Sequence, residues 1–146
     1  MPAHAAPIER FMSTVLVVIA PEQPLMEAAR LMRLHSIRHL PVVRKGRLVG
    51  ILSQRDVHLL ETLQDVDPAR VLVEEAMVHE LYSVEPDEPV DRVATEMANR
   101  RIGTAVVSHG DKLLGLFTTT DALRALAAFA VDADVPGEAV PVDGRD

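Results

Sequence analysis

The sequence predicts a mixed α/β protein made of two consecutive β-α-β-β-α units, and three observations carry that expectation. The chain repeats itself at an offset of about 65 residues. Short blocks of Val, Leu and Ile suited to strands alternate with segments whose apolar residues recur at helical spacing. Pro, Gly, Ser and Thr stand where those segments should start and stop.

At that offset Met12 falls on Met77, Leu16 on Leu81, Pro21 on Pro86, Pro24 on Pro89, Ala29 on Ala94 and Met32 on Met97. A one-residue slip then sets Val42-Val43 on Val106-Val107 at 64, and 65 returns for Leu48/Leu113, Gly50/Gly115 and Asp56/Asp121. Coincidence among Leu and Ala does not deliver both prolines, the glycine and the aspartate in order.

Each unit opens with a short apolar strand, Leu16–Ile19 or Leu81–Val84, that ends near a proline. The second proline of Pro21-Glu-Gln-Pro24 and of Pro86-Asp-Glu-Pro89 suits the first turn of a helix, where a missing N–H costs little. The helix follows. Leu25, Ala28, Ala29, Leu31 and Met32 form one apolar stripe, and Val90, Val93, Ala94 and Met97 repeat it. Two strands then pair about a turn, Leu40–Val43 with Leu48–Leu52 and Thr104–Val107 with Leu113–Phe117. Closing helices over Gln54–Leu63 and Thr119–Ala130 are capped by Ser53 and Thr118.

The units are expected over 8–66 and 73–130, joined by a linker at 67–72. Val71–Met77 reads as a short helical entry into the second unit, as Ile8–Met12 reads for the first. The acidic, Gly- and Pro-containing stretch Val131–Asp146 has no periodicity and is expected to be a disordered tail, as are the first seven residues.

Composition narrows the function. The 146 residues suffice for a real core, and with no Trp, one Tyr (Tyr82) and three Phe that core must be aliphatic. A formal charge of −7 argues against nonspecific binding to nucleic acid or to an anionic membrane. The absence of cysteine removes disulfides, thiol catalysis and the commonest zinc ligand. No apolar run reaches the roughly 18 residues of a membrane span, and the first ten residues lack the order of a signal peptide. A soluble cytoplasmic protein is the expectation.

The segments "IRHLPVV…GRLVGILSQRD" and "RRIGTAVVSHGDKLLGLFTTTD", each behind a strand–Pro–x–x–Pro–helix, resemble the repeats of the cystathionine-β-synthase-type (CBS) family. The likeness spans about residues 8–130 and makes the chain similar to a tandem CBS pair, or Bateman module. Its most specific piece is Gly50-Ile-Leu-Ser53-Gln-Arg-Asp56, repeated as Gly115-Leu-Phe-Thr118-Thr-Thr-Asp121. The resemblance implies two repeats packed with pseudo-twofold symmetry through three-stranded sheets, and modules that often pair as homodimers. It also implies a regulatory role of the kind used in energy sensing, through AMP, ADP, ATP or S-adenosylmethionine bound in clefts between the repeats.

The implied chemistry is simple. An Asp in the first helical turn accepts hydrogen bonds from ribose hydroxyls. A Ser or Thr at the helix start, with the N-terminal amides and the helix dipole, holds phosphate. Carried over by resemblance, one cleft combines Ser53, Arg55 and Asp56 with Ser83, Arg101, Ile102 and Gly103. The other combines Thr118, Thr120 and Asp121 with Val18, Ile37, Arg38 and His39. The first has the fuller polar set and is favoured. In the second, Val18 stands where relatives often carry a hydroxyl, and His39 either supplies charge or obstructs the base.

Plainer explanations stand beside these. Asp56 and Asp121 also stabilise a helix dipole without any ligand, and Ser53 and Thr118 also serve as N-caps worth about 1 kcal/mol each. His35 and His39 are four apart, but a helix-to-strand boundary is expected between them, and no HExxH occurs, so no metal site is expected. Glu74-Glu75 and Asp87-Glu88 fall in linker or turn segments, and no nucleophile–base constellation or Gly-rich phosphate loop is visible. No enzyme and no catalytic cofactor are therefore expected. Two readings remain: a nucleotide sensor that signals to a regulated partner protein, or a ligand-free dimerisation module acting through an exposed surface.

Overall fold

Why each strand and helix starts where it does is set by a few backbone devices that occur twice. The computed structural model describes residues 5–14 and 17–132, and the element order is a 3-10 turn (Ile8–Arg10), β1 (Ser13–Thr14), α1 (Leu25–His35), β2 (His39–Arg44), β3 (Arg47–Ser53), α2 (Gln54–Glu61), α3 (Val73–Ala76), β4 (Ser83–Val84), α4 (Val90–Arg100), β5 (Thr104–His109), β6 (Lys112–Thr118) and α5 (Thr119–Asp132). Pro24 and Pro89 take extended backbone just before α1 and α4. Both helices end on a left-handed residue, Ser36 (φ 53°) and Arg101 (φ 57°), whose N–H turns back to Arg33 O and Ala98 O. The β2–β3 turn places Lys45 and Gly46 at positive φ, the conformation a two-residue hairpin connection requires.

The repeat keeps a single register. His39 pairs with Ser53 and Thr104 with Thr118; Val42 pairs with Gly50 and Val107 with Gly115. The offset is thus 65 throughout the hairpins, and the slip to 64 suggested by the Val-Val identities is not present. A bulge falls at the same place in both, between Val42 and Val43 and between Val107 and Ser108.

The larger correction concerns the entry segments, which are exchanged. Val71–Met77 does not pack on the unit that follows it. Val73 is fully buried in the first core with Leu25, Ala28, Leu40, Leu52 and Val57, its N–H bonds Gln23 O at 2.8 Å, and Val78 bridges Ile51. The N-terminal segment does the same for the second unit. Ile8 is buried with Val84, Val90, Val93, Ala105 and Phe117, its N–H bonds Glu88 O at 2.8 Å, and β1 pairs with β6. Ala6 and Pro7, read from sequence as part of a loose terminus, dock with them: Ala6 O accepts from Val90 N–H at 2.9 Å and Pro7 bridges Pro89.

Each exchanged segment crosses its hairpin over a glycine. A Cβ on Gly115 would stand 2.6 Å from Ser13 O and 2.8 Å from Met12 Sδ; one on Gly50 would meet Met77 Sδ at 2.5 Å and Val78 O at 3.0 Å. The paired Met12/Met77 and Gly50/Gly115 identities therefore report one contact, made twice.

Strand order is β1-β6-β5-β4 in the second unit, with β4 parallel to β5. The first unit has the β2–β3 hairpin, with Ile19 bridging Val42 in parallel and Val78 bridging Ile51. The exchanged segment thus adds a fourth lane to the three-stranded sheet the resemblance implied. Of the predicted strand Leu16–Ile19, Leu16 lies outside the described residues and only Ile19 joins the sheet; its counterpart shortens to Ser83–Val84. A third cluster, Ile51 with Val106 and Leu116, packs one sheet on the other. On the helix stripes Met32 and Met97 are buried as expected, whereas Met26 of α1 points outward. Helix α5 continues to Asp132, two residues into the predicted tail; the rest of that tail lies outside the described residues.

Candidate functional site

Both Ser/Thr-x-x-Asp turns fold as capping boxes, because the aspartate is three residues past the cap and faces back along the first helical turn. At α2, Asp56 N–H bonds Ser53 Oγ at 3.1 Å, while Asp56 Oδ2 accepts from Ser53 Oγ at 2.8 Å and Ser53 N–H at 3.2 Å. At α5, Asp121 Oδ2 accepts from Thr118 N–H at 2.9 Å and Thr118 Oγ1 at 3.1 Å. The two turns then diverge. Asp121 Oδ1 accepts a further bond from Ser13 Oγ at 2.9 Å, and Arg124 Nη1 stands 3.7 Å away. Asp121 is 3% exposed and is the buried charged residue of the described chain.

A cavity of about 620 Å³ opens beside Asp121, a volume in the range of small-molecule sites. One wall comes from the second unit, with Thr118, Thr119, Thr120, Asp121 and Arg124 at the start of α5. The opposite wall runs from the end of α1 to the start of β2 through His35, Ser36, Ile37, Arg38 and His39. Ser13, Thr14 and Val17 close it from the exchanged segment and the chain after it. The surface is mixed: apolar Val17, Ile37 and Leu116 face a polar set whose charges are Arg38, Arg124 and Asp121.

Six of the seven residues assigned to the second cleft line this cavity: Ile37, Arg38, His39, Thr118, Thr120 and Asp121. Val18 does not; it is 46% exposed, and its neighbour Val17 takes the wall position. Ser13 brings a hydroxyl to the wall, where it is bonded to Asp121. Of the first cleft's set, Ser53 and Asp56 meet at the start of α2 and Arg55 is exposed beside them. Ser83 is exposed on β4, and Arg101 and Ile102 follow α4. Gly103, assigned to the first cleft, also lines the Asp121 cavity, and its O accepts from Thr119 N–H at 3.1 Å. At the place corresponding to Val17, the first cleft carries Tyr82, with the Arg100 guanidinium 4.6 Å over its ring.

Ser13, Thr14 and Arg124 were not singled out from the sequence. Arg124 had a signal, being three residues past Asp121 and so on the same helix face. Ser13 had none, because its counterpart at offset 65 is Val78 and the exchange that delivers it is a tertiary event.

His39 sits between the two turns, opposite Ser53 in the β2–β3 ladder and in the wall of the Asp121 cavity. Burial, helped by Arg38, holds its pKa below the ordinary histidine value against the opposing pull of Asp56 and, more weakly, Asp121. Among the described residues no group of His, Asp or Glu has metal-ligand geometry, and no helix is long and apolar enough to cross a membrane.

A family model described as CBS domain matches residues 8–59 and 73–128. The chain is 33% identical over 110 residues to the CBS domain-containing protein YhcV of Bacillus subtilis, covering 75% of this chain and 78% of that one. It superposes with a TM-score of 0.74 and 28% identity on the CBS domain pair of protein MJ0100, solved in complex with 5′-methylthioadenosine and S-adenosyl-L-methionine, over 85% of this chain and 98% of that one. A hexameric CBS-CP12 protein from bloom-forming cyanobacteria gives 0.75 and 27% identity, covering 82% of this chain and 67% of that one.

Proposed function

The chain belongs to the CBS-domain family, and from that premise we propose that it is a regulatory module rather than an enzyme, taking an adenosine-type ligand in the cavity beside Asp121. The observation that carries this reading is the coincidence of three features at one place. A cavity of about 620 Å³ lies between the units, a carboxylate is held in its wall by a capping box, and the N-terminus of α5, a 14-residue helix, faces into it. In that arrangement Asp121 takes the ribose hydroxyls, exchanging the Ser13 bond for a ligand bond. Thr118, Thr120 and the α5 amides face a phosphate or other anionic group, and Ile37 and Val17 flank the base. The MJ0100 pair, which binds two adenosine derivatives, supports the ligand class.

Signalling follows from where the walls come from. The cavity is built from both units and from the exchanged N-terminal segment, so a ligand that grips all three favours one relative arrangement of them. A partner protein that reads that arrangement would sense the ligand.

A calorimetric and thermal-shift screen of AMP, ADP, ATP, S-adenosylmethionine, 5′-methylthioadenosine and NAD tests the reading. Binding of at least one, weakened at least tenfold by Asp121→Asn and less by Asp56→Asn, is the expected result. No binding at millimolar concentration by any of the six overturns it.

The second reading, a ligand-free assembly module, is favoured by one observation. Leu59 on α2 and Leu63 just past its end, with Leu123 and Leu126 on α5, are each about half exposed or more. It predicts a homodimer or larger assembly, seen by light scattering, that no nucleotide alters.

A further inference from the structure

His39 occupies a position that its counterpart does not match. In the second unit the same ladder site, opposite Thr118, is Thr104, which carries no titrating group. In the first it is an imidazole that faces the cavity on one side and the Ser53–Asp56 capping box on the other.

The charged and titratable groups around it come from each element that walls the site. Arg38 precedes it, His35 ends α1, Asp56 belongs to α2, and Asp121 and Arg124 belong to α5. Two guanidiniums are therefore fixed cations of the cavity, Asp121 is its carboxylate, and His39 is the half-buried group there whose charge can change near neutral pH.

We infer that His39 selects the charge of the ligand: neutral, it admits an uncharged adenosine-type ligand, and protonated, it favours an anionic one, so that an anionic nucleotide is bound with uptake of a proton at His39. The inference rests on the cavity being the adenosine-type site proposed above, and adds to it a specificity residue and a pH dependence.

The physical chain is short. Without a ligand, burial favours the neutral imidazole, since the charged form loses hydration there. An anionic group brought against the α5 N-terminus shares the cavity with His39, which already feels the Asp121 carboxylate there, and offsets part of what burial withdrew. An opposite charge within about 5 Å moves such a pKa by about one unit. By linkage this is about a tenfold difference in anion affinity between the two protonation states. An uncharged ligand gains nothing from the proton and displaces water that would solvate it.

The test uses the whole chain, titrated calorimetrically with AMP and with adenosine from pH 8 to 5.5, in paired buffers of different ionisation enthalpy. His39→Gln and His39→Thr are run beside it; Thr is the residue this fold already accepts at the matching site. The phosphate of AMP itself titrates in this range, and comparison with the variants cancels that contribution.

Expected is an AMP affinity that rises about tenfold for the wild type relative to either variant as pH falls. A net uptake of about half a proton at its maximum, the limit for a shift of about one unit, should accompany it, with no such rise for adenosine. Parallel pH profiles for wild type and variants overturn the role of His39 while leaving the cavity reading intact. Failure of both probes to bind any of the three proteins at any pH overturns this inference, while the cavity reading itself stands or falls on the six-ligand screen above.

Discussion

Ser13 Oγ donates to Asp121 Oδ1 at 2.9 Å across 108 positions of sequence, tying the exchanged N-terminal segment to the helix that opens the cavity. Asp121 is almost wholly buried, so each of its donors replaces water that the carboxylate has lost. Ser13→Ala should therefore destabilise the chain by about 1–3 kcal/mol, the cost of leaving a buried charged acceptor short of a partner. Thermal unfolding without ligand measures it. Removing the matching side chain in the other unit, Val78→Ala, touches no such bond and should cost less, because Val78 is half exposed.

The glycines at the crossings make a graded prediction. Gly115→Ala puts a methyl 2.6 Å from the backbone oxygen of Ser13, and the strand must move. Gly50→Ala meets mainly the flexible end of Met77, although Val78 O lies at 3.0 Å. Gly103→Ala finds only Thr119 Oγ1 at 3.6 Å, an ordinary contact. Overpacking costs about 1–3 kcal/mol where nothing can yield, so urea midpoints should fall most for Gly115→Ala, less for Gly50→Ala and least for Gly103→Ala. Equal losses at the three positions would contradict the crossing geometry.

These two cases also show what could be read before the fold was known. The hairpins, their caps and the Ser53/Asp56 and Thr118/Asp121 boxes are local, decided within a few residues, and the repeat doubled each signal. The exchange of Ile8–Met12 and Val71–Met77 has no local signature. Either segment would serve either core, and only the packing of Ile8 under Phe117 and of Val73 under Leu52 decides which. The Ser13 contact follows from that choice and was equally hidden. The apparent slip at Val42-Val43 had a different cause. Identical Val-Val pairs aligned by letter at 64, whereas the backbone bulges keep the ladders in step at 65. Apparent polar completeness favoured the Asp56 cleft; a cavity also opens beside Asp121, where Ser13 and Arg124 supply polar groups that the resemblance did not name.

Exchange predicts that the N-terminal segment is core. Ile8 has no exposed surface and packs among Val90, Val93 and Phe117. Ile8→Ala should cost about 2–5 kcal/mol, the range for large-to-small changes at sites that cannot collapse. A comparable loss is expected for Leu25→Ala in the other core, measured by urea denaturation. If Ile8→Ala cost under about 1 kcal/mol, the segment would be a peripheral arm and the second core would end at Val84.

The last prediction concerns pH and stability in the absence of ligand. Burial lowers the pKa of His39 in the folded protein, so the unfolded chain, with an ordinary histidine near 6.5, binds its proton first as the solution is acidified. Stability changes with pH in proportion to the extra protons held by the unfolded state. Between the two values that difference favours unfolding. The contribution of neutral His39 is thus fully present above the unfolded pKa, declines as pH falls from there toward the lowered folded value, and stays flat below it. His39→Thr removes both titrations. Its stability, measured by urea denaturation every half unit from pH 8 to 5, should gain on the wild type through the acid part of that range and run parallel above about pH 7. The opposite sign, with wild type gaining on the variant as pH falls, would mean that Asp56 and Asp121 outweigh burial at this imidazole. The empty cavity would then already hold a third cation beside Arg38 and Arg124.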